Sequence, residues 1–140
     1  MYFRKVEEFF SLVKAGLWED SGAQLDLSFN GQVEWDKVYQ IAEEQSVFGL
    51  VLAGIEQSNI KPSRELLLQW IGEVQMLEQQ NLVMNSFIAE LVEKMREVGI
   101  YTLLLRGQGI AQCYEKPLWR CSGDVDLLLS YENTRKQRLF

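Results

Sequence analysis

Histidine is absent from all 140 residues. That excludes Ser-His-Asp and Cys-His nucleophile pairs, histidine-ligated zinc and an imidazole general base. Any catalysis must run on carboxylates, metals, backbone amides, or lysine and arginine. Cysteine is scarce: Cys113 and Cys121 are too few for a disulfide framework and lack CxxC spacing, so free thiols in a reducing cytoplasm are expected. Basic residues are outnumbered, 14 Lys and Arg against 20 Asp and Glu. The net charge of −6 speaks against unaided binding to a nucleic-acid backbone, although a chelated metal or one basic groove can still bring in a phosphate. No apolar run approaches the ~20 residues needed to cross a bilayer. The start, Met1 to Glu8, lacks a signal-peptide pattern, so no membrane partner is expected. Internal repeats and low-complexity segments are missing too.

What is present is an apolar content of 47%, enough for one ordinary core in one or at most two small units. Phe3, Val6, Phe10, Val13 and Leu17 recur at steps of three and four and predict a first amphipathic helix. Gly22, Asn30 and Gly31 punctuate a connection in which Leu25, Leu27 and Phe29 alternate with polar residues, too briefly to define a strand. Trp35, Val38, Tyr39 and Ala42 predict a second helix, with Glu34 and Asp36 on its solvated side. Val47 to Ile55 is apolar enough to be the most buried helix, with Ser46 as its expected cap. Pro62 and Ser63 open the longest element, about 63–98, closed by Gly99. Its stripe runs from Leu67 through Trp70, Val74, Leu77 and Asn81 to Val98. Asn81 on that seam either fixes the register of a homodimer of paired helices or is bonded locally within one chain. Gln75, Gln79, Gln80 and Asn81 together suggest solvent or a loose helix contact.

After Gly99 the period changes. Ile100 to Leu105 reads as a buried strand, and Arg106, Gly107, Gln108 and Gly109 break it. Ile110 to Tyr114 fits a short helix ended by Lys116 and Pro117. A second strand is expected over Asp124–Leu129, then a turn from Ser130 and a basic tail, Arg135 to Arg138. Strand alternation puts Asp124 and Asp126 on one face, about 6–7 Å apart, with Val125, Leu127 and Leu129 turned into a core. Two carboxylates so placed suit Mg2+ or Mn2+, which accept oxygen ligands and leave room for nucleotide phosphates. Glycines straight after a strand let backbone N–H groups approach a phosphate, and Arg106 and Arg120 flank the region. Singly, the acids also fit a surface pair at a strand edge, the glycines a plain turn, and the arginines surface ion pairs.

The order of parts is more specific. The run from Leu104 to Tyr114, then Pro117, Arg120 and Gly123 to Leu129, resembles the largely uncharacterised bacterial nucleotidyltransferases of the DNA polymerase beta-like superfamily. Residues 35–47 are similar to the helical lead-in of such proteins. The resemblance implies an α+β fold: a helical N-terminal region, 1–98, leading into the first strands of a mixed sheet, 99–140. It implies metal ligation by Asp124 and Asp126, and nucleotide contacts from Gly107 and Gln108 with support from Arg106, Gly109 and Arg120. Arg106 replaces the family's common lysine and Gln108 its common serine, so charge is kept at the first position but geometry is not.

The superfamily also draws a third carboxylate from a later strand, whereas the only acid after Asp126 is Glu132. The expectation is therefore the truncated N-terminal part of a metal-dependent enzyme moving a nucleotidyl group from a nucleoside triphosphate to an unread acceptor. It would be poorly active by itself. The alternative expectation is a non-catalytic helical interaction module with a relic nucleotide site. Under either, the open edge of a two-strand remnant favours self-association.

Overall fold

The structure, a computed structural model, describes residues 2–18, 33–121 and 123–131. The alternation of Leu25, Leu27 and Phe29, Glu132 and the basic tail lie outside them. Among the described residues, five helices and two strands give an α+β fold, in the order α1 (Tyr2–Leu17), α2 (Trp35–Glu44), α3 (Phe48–Gln57), α4 (Arg64–Glu97), β1 (Ile100–Leu105), α5 (Gly107–Ala111) and β2 (Asp126–Tyr131). A 3-10 turn, Pro117–Trp119, stands between α5 and β2.

The core forms where α1, α2 and α3 meet the first half of α4. Phe9, Leu12, Val38, Ala42, Val51, Ile55, Trp70 and Val74 are all buried there. Seven consecutive residues of α3, Gly49 to Ile55, are buried, as a stretch with no polar face requires. Two glycines let α1 and α3 touch by backbone. A Cβ at Gly16 would collide with the Leu50 carbonyl, and one at Gly54 with that of Leu12. Trp70 is fully buried, donates its indole N–H to the Phe48 carbonyl at 2.8 Å, and meets the Tyr39 ring edge-on at 5.0 Å. Its truncation to alanine would cost about 3–5 kcal/mol.

Helix ends follow local chemistry. The Ser63 hydroxyl accepts from the Leu66 amide at 3.3 Å, Glu65 sits in the positive first turn, and Lys94 and Arg96 sit in the last. Ser46 does not cap α3: Val47 holds the N-cap position without a side-chain bond, while Ser46 adopts φ 55° in the turn after α2. Lys61 closes α3 by donating its ammonium hydrogens to the Ile55 and Glu56 carbonyls.

The strands are antiparallel, Ile100 opposite Tyr131 through Leu105 opposite Asp126. β2 thus starts two residues later than alternation alone suggests and continues through Ser130 to Tyr131. The reason is pairing: β1 stops at Leu105, so Asp124 and Val125 have no rung, while Ile100 still offers one to Tyr131. Nor is β1 buried throughout. Tyr101, Leu103 and Leu105 are exposed and alternate with half-buried Ile100, Thr102 and Leu104, because helices cover one face of the described sheet. Leu128, opposite Leu103, is exposed for the same lack of cover, whereas Leu129, expected in the core, lies opposite half-buried Thr102 and is still exposed. α5 ends at Ala111, well before Pro117, which instead opens the 3-10 turn.

Candidate functional site

The site grows from the place where β1 ends. Arg106 leaves the strand at φ 50°, ψ −156°, a backbone region that belongs essentially to glycine. Such strain costs on the order of 1–3 kcal/mol and persists only where neighbours hold it. Here the Arg106 carbonyl accepts from the amides of Gly109 at 2.7 Å and Ile110 at 3.2 Å, which locks the turn into α5. Gly107 follows at φ 40°, and a Cβ there would lie 3.1 Å from the Asp124 carbonyl oxygen. The turn and the acidic segment therefore pack closely through backbone, and a side chain at Gly107 would be strained by that φ and tight against Asp124.

Asp126 opens β2 opposite Leu105, one residue before the strained turn. Asp124 precedes it, against Gly107. Both carboxylates are exposed while Val125 and Leu127 are half-buried, so the acids share the solvent side at one end of the sheet. Neither makes an ion pair with a described residue. The chemistry of an open pair of hard oxygen donors fits Mg2+, which holds one or two carboxylates and takes the rest of its shell from water and phosphate. Among the described residues no three of Asp, Glu, Cys and His gather closely enough to hold a metal by themselves.

Gln108 takes a different position from its neighbours. Its side chain is buried and donates from Nε2 to Asn81 Oδ1 at 2.9 Å. Only its main chain is left to face a ligand, whereas Arg106 is exposed. Asn81, 2% exposed, donates from Nδ2 to the carbonyls of Leu118 at 2.7 Å and Arg120 at 2.9 Å. One amide in the middle of α4 thus fastens both the glycine turn and the Pro117–Arg120 loop. It is bonded within the chain, and neither solvent nor a second helix accounts for it. Gln75, Gln79 and Gln80 are exposed.

The same loop is pinned from α3 and from a second point on α4. Trp119 donates its indole N–H to Glu78 at 3.2 Å, Lys116 pairs with Glu56 and lies 3.9 Å over the Trp119 ring, and the Trp119 carbonyl packs on Gly49. Arg120 donates to the Cys121 carbonyl at 3.2 Å and faces the Tyr114 ring at 5.8 Å. Its link to the glycine turn is indirect, through Asn81. The Cys121 thiol is pushed up by burial, an effect the Arg120 charge partly offsets. Asn81, Glu78 and Trp119 escaped sequence reading as parts of this region. A polar residue on an apolar seam was the one signal, and it names no partner.

No helix among the described residues is long and apolar enough to cross a membrane. Neither a curated protein nor a solved structure matches the chain. The family described as uncharacterised nucleotidyltransferase matches residues 31–138, a stretch that holds α2, α3, α4 and the strained turn with its two acids. The chain belongs to that nucleotidyltransferase family.

Proposed function

We propose that the chain carries the nucleotide-binding part of a metal-dependent nucleotidyltransferase that uses a nucleoside triphosphate. The observation that supports this most is the pairing of Asp126 with Leu105, together with the contact of Gly107 on the Asp124 carbonyl. These bring an open acid pair against a strained glycine turn. Asp124 and Asp126 would hold Mg2+ or Mn2+, which when bound offsets phosphate charge and the charge developing on pyrophosphate. The main chain of Gly107, Gln108 and Gly109 would cradle phosphate oxygens, with the exposed Arg106 guanidinium beside them. Arg120 is the second candidate cation, held near by Asn81.

In the transfer, an acceptor oxygen bonds to the α-phosphorus and the bond to the bridging oxygen breaks. Pyrophosphate leaves, and the acceptor's proton passes to a base. A third carboxylate suits that last duty, and none of the described residues brings one to the pair. These 140 residues alone are therefore proposed to bind nucleotide and to transfer it poorly or not at all. The proposed setting is a reducing bacterial cytoplasm, where Cys113 and Cys121 stay free.

Calorimetry with ATP, GTP, CTP and UTP, each with and without Mg2+ or Mn2+, tests the reading. Binding that requires metal and disappears in Asp124→Asn/Asp126→Asn supports it. A folded sample that binds none of the four, or binds equally well without the acids, overturns it.

A further inference from the structure

The face of the sheet that no described helix covers is the face on which Asp126 stands. Residues directly opposite one another in an antiparallel pair share a face. Tyr101 with Ser130, Leu103 with Leu128 and Leu105 with Asp126 therefore form three rungs on one side. The other side, with Ile100, Thr102 and Leu104, is half-buried where β1 packs on α4. Tyr101 is 49% exposed, Leu103 59%, Leu105 39% and Leu128 57%. The strip they form is about 14 Å long at ~3.4 Å per residue. Its one charge is Asp126, at one end.

The place of that charge relates the strip to the candidate site. The Arg106–Gly109 turn begins immediately past Leu105, so turn and strip lie on opposite sides of the rung that carries Asp126. On the nucleotide reading, the turn holds the phosphates that leave as pyrophosphate. Such a displacement runs in line, with attacking and leaving oxygens on opposite sides of the phosphorus. With pyrophosphate departing towards the turn, the acceptor oxygen arrives from the strip. It bonds to the α-phosphorus as the bond to the bridging oxygen breaks, and its proton passes to water or a carboxylate. A strip without a cation has nothing to offer a phosphorylated or nucleic-acid acceptor. Its leucines favour a hydrocarbon surface that leaves water to lie on them.

We propose that the face formed by Tyr101, Leu103, Leu105 and Leu128 is the acceptor subsite, and that the acceptor is an uncharged hydroxyl compound with an apolar body. The body lies along the strip and the hydroxyl stands at the Asp126 end. A face shared with a candidate metal ligand separates this strip from the exposed apolar residues of α4, which adjoin no such group. The inference rests on the nucleotide reading and adds the chemical class of the acceptor to it.

Methyl NMR of leucine and valine in the 140-residue chain tests it, with 1-octanol as probe and Mn2+ as relaxation agent. Octanol should move the methyl signals of Leu103, Leu105 and Leu128. Mn2+ should broaden the hydroxymethyl protons of bound octanol more than its terminal methyl. Glycerol and glycerol 3-phosphate should bind at least about tenfold more weakly than octanol. Leu103→Glu, at an exposed position, should weaken octanol binding about tenfold or more, and Val83→Glu on α4 should leave it unchanged. Circular dichroism checks that both variants fold. Octanol shifts confined to the groove of Val6, Phe10 and Val13, or undiminished binding by Leu103→Glu, overturn the proposal. So do leucine signals that follow protein concentration and ignore octanol, which assign the face to a second copy. If Mn2+ leaves the Gly107 and Asp126 amides sharp, the metal reading fails and the subsite falls with it. Broadened amides with octanol unbound or reversed sink the subsite alone.

Discussion

Gln108 donates to Asn81 at 2.9 Å and so ties the glycine turn to the middle of the longest helix. The same Asn81 amide holds the Leu118 and Arg120 carbonyls. Two segments that the chain separates by a loop are thereby fixed to one point on a rigid element. A site of the kind proposed, for a phosphate and a metal, would gain from such support, because misplacement of donors by about 1 Å is costly in rate.

Asn81→Ala leaves the Gln108 amide and two carbonyls without their partner in a buried place. The expected loss is about 2–4 kcal/mol, since unsatisfied buried groups cost ~1–3 kcal/mol each and water will reach some of them. Denaturant unfolding reads the loss, and amide exchange in residues 118–120 should quicken. Asn81→Asp should be no better, because a carboxylate would then face the two carbonyl oxygens that the amide now serves. An Asp variant as stable as the parent would show that those two bonds are dispensable.

How much of this was readable beforehand depends on how local each cause is. Ser63 before Arg64 and Glu65 marks a helix start by itself, and the run Val47 to Ile55 has no polar face to expose. Those elements were legible. The beginning of β2 was not, because it is set by where β1 ends: Asp124 lacks a rung only because the backbone turns at Arg106. Exposure of Leu103 and Leu128 was equally hidden, since it depends on which face the helices cover.

The candidate site divides in the same way. The order of turn, loop and acids named Arg106, Gly107, Asp124 and Asp126 together, and Gly107 does lie against Asp124. Gln108 shares that turn, yet its side chain is buried on Asn81. No spacing rule reveals a bond between two amides this far apart in the chain, on different elements. Backbone strain at Arg106 is likewise a product of the fold, as arginine carries no sequence signal for positive φ.

That strain can be separated from the arginine's charge. Arg106→Gly places at φ 50° the residue that tolerates it, and should raise stability by up to about 1 kcal/mol after the added freedom of the unfolded chain is set against the relief. Arg106→Ala keeps the strain and should show no such gain. Both should weaken metal-dependent nucleotide binding if the guanidinium meets phosphate. Thermal unfolding beside calorimetry checks the pair. Equal stability in the two variants would mean the backbone relaxes at little cost.

Gly49 is a quieter control on the same region. A methyl group there collides with the Trp119 carbonyl, so Gly49→Ala should push the Pro117–Trp119 turn off α3. Overpacking of this kind costs about 1–3 kcal/mol. Trp119 emission should shift to the red as its ring loses Lys116 and Glu78, a change best read in a Trp18→Phe background. Unchanged emission and stability would place the loop's anchorage on Asn81 alone.

The two thiols offer the most direct test of the loop's packing in solution. Cys113 is exposed, whereas Cys121 is half-buried with its thiol pushed above the ordinary range by desolvation. Only the thiolate reacts, so at neutral pH an alkylating reagent should modify Cys113 first and Cys121 much more slowly. The Cys121 rate should keep rising at pH values where an ordinary thiol is already fully ionised. Linkage gives the matching sign: a thiol whose folded value is raised binds its proton longer in the native state, so stability falls as pH climbs from the ordinary thiol value through the raised one. Arg120→Gln removes the charge that partly counters burial and should slow Cys121 further. Asn81→Ala, by freeing the loop, should do the opposite and bring the two rates together. Mass spectrometry of peptides from a timed labelling course separates these outcomes, and equal rates in the unmodified chain would mean that the Arg120–Cys121 segment is not held against the helices as described.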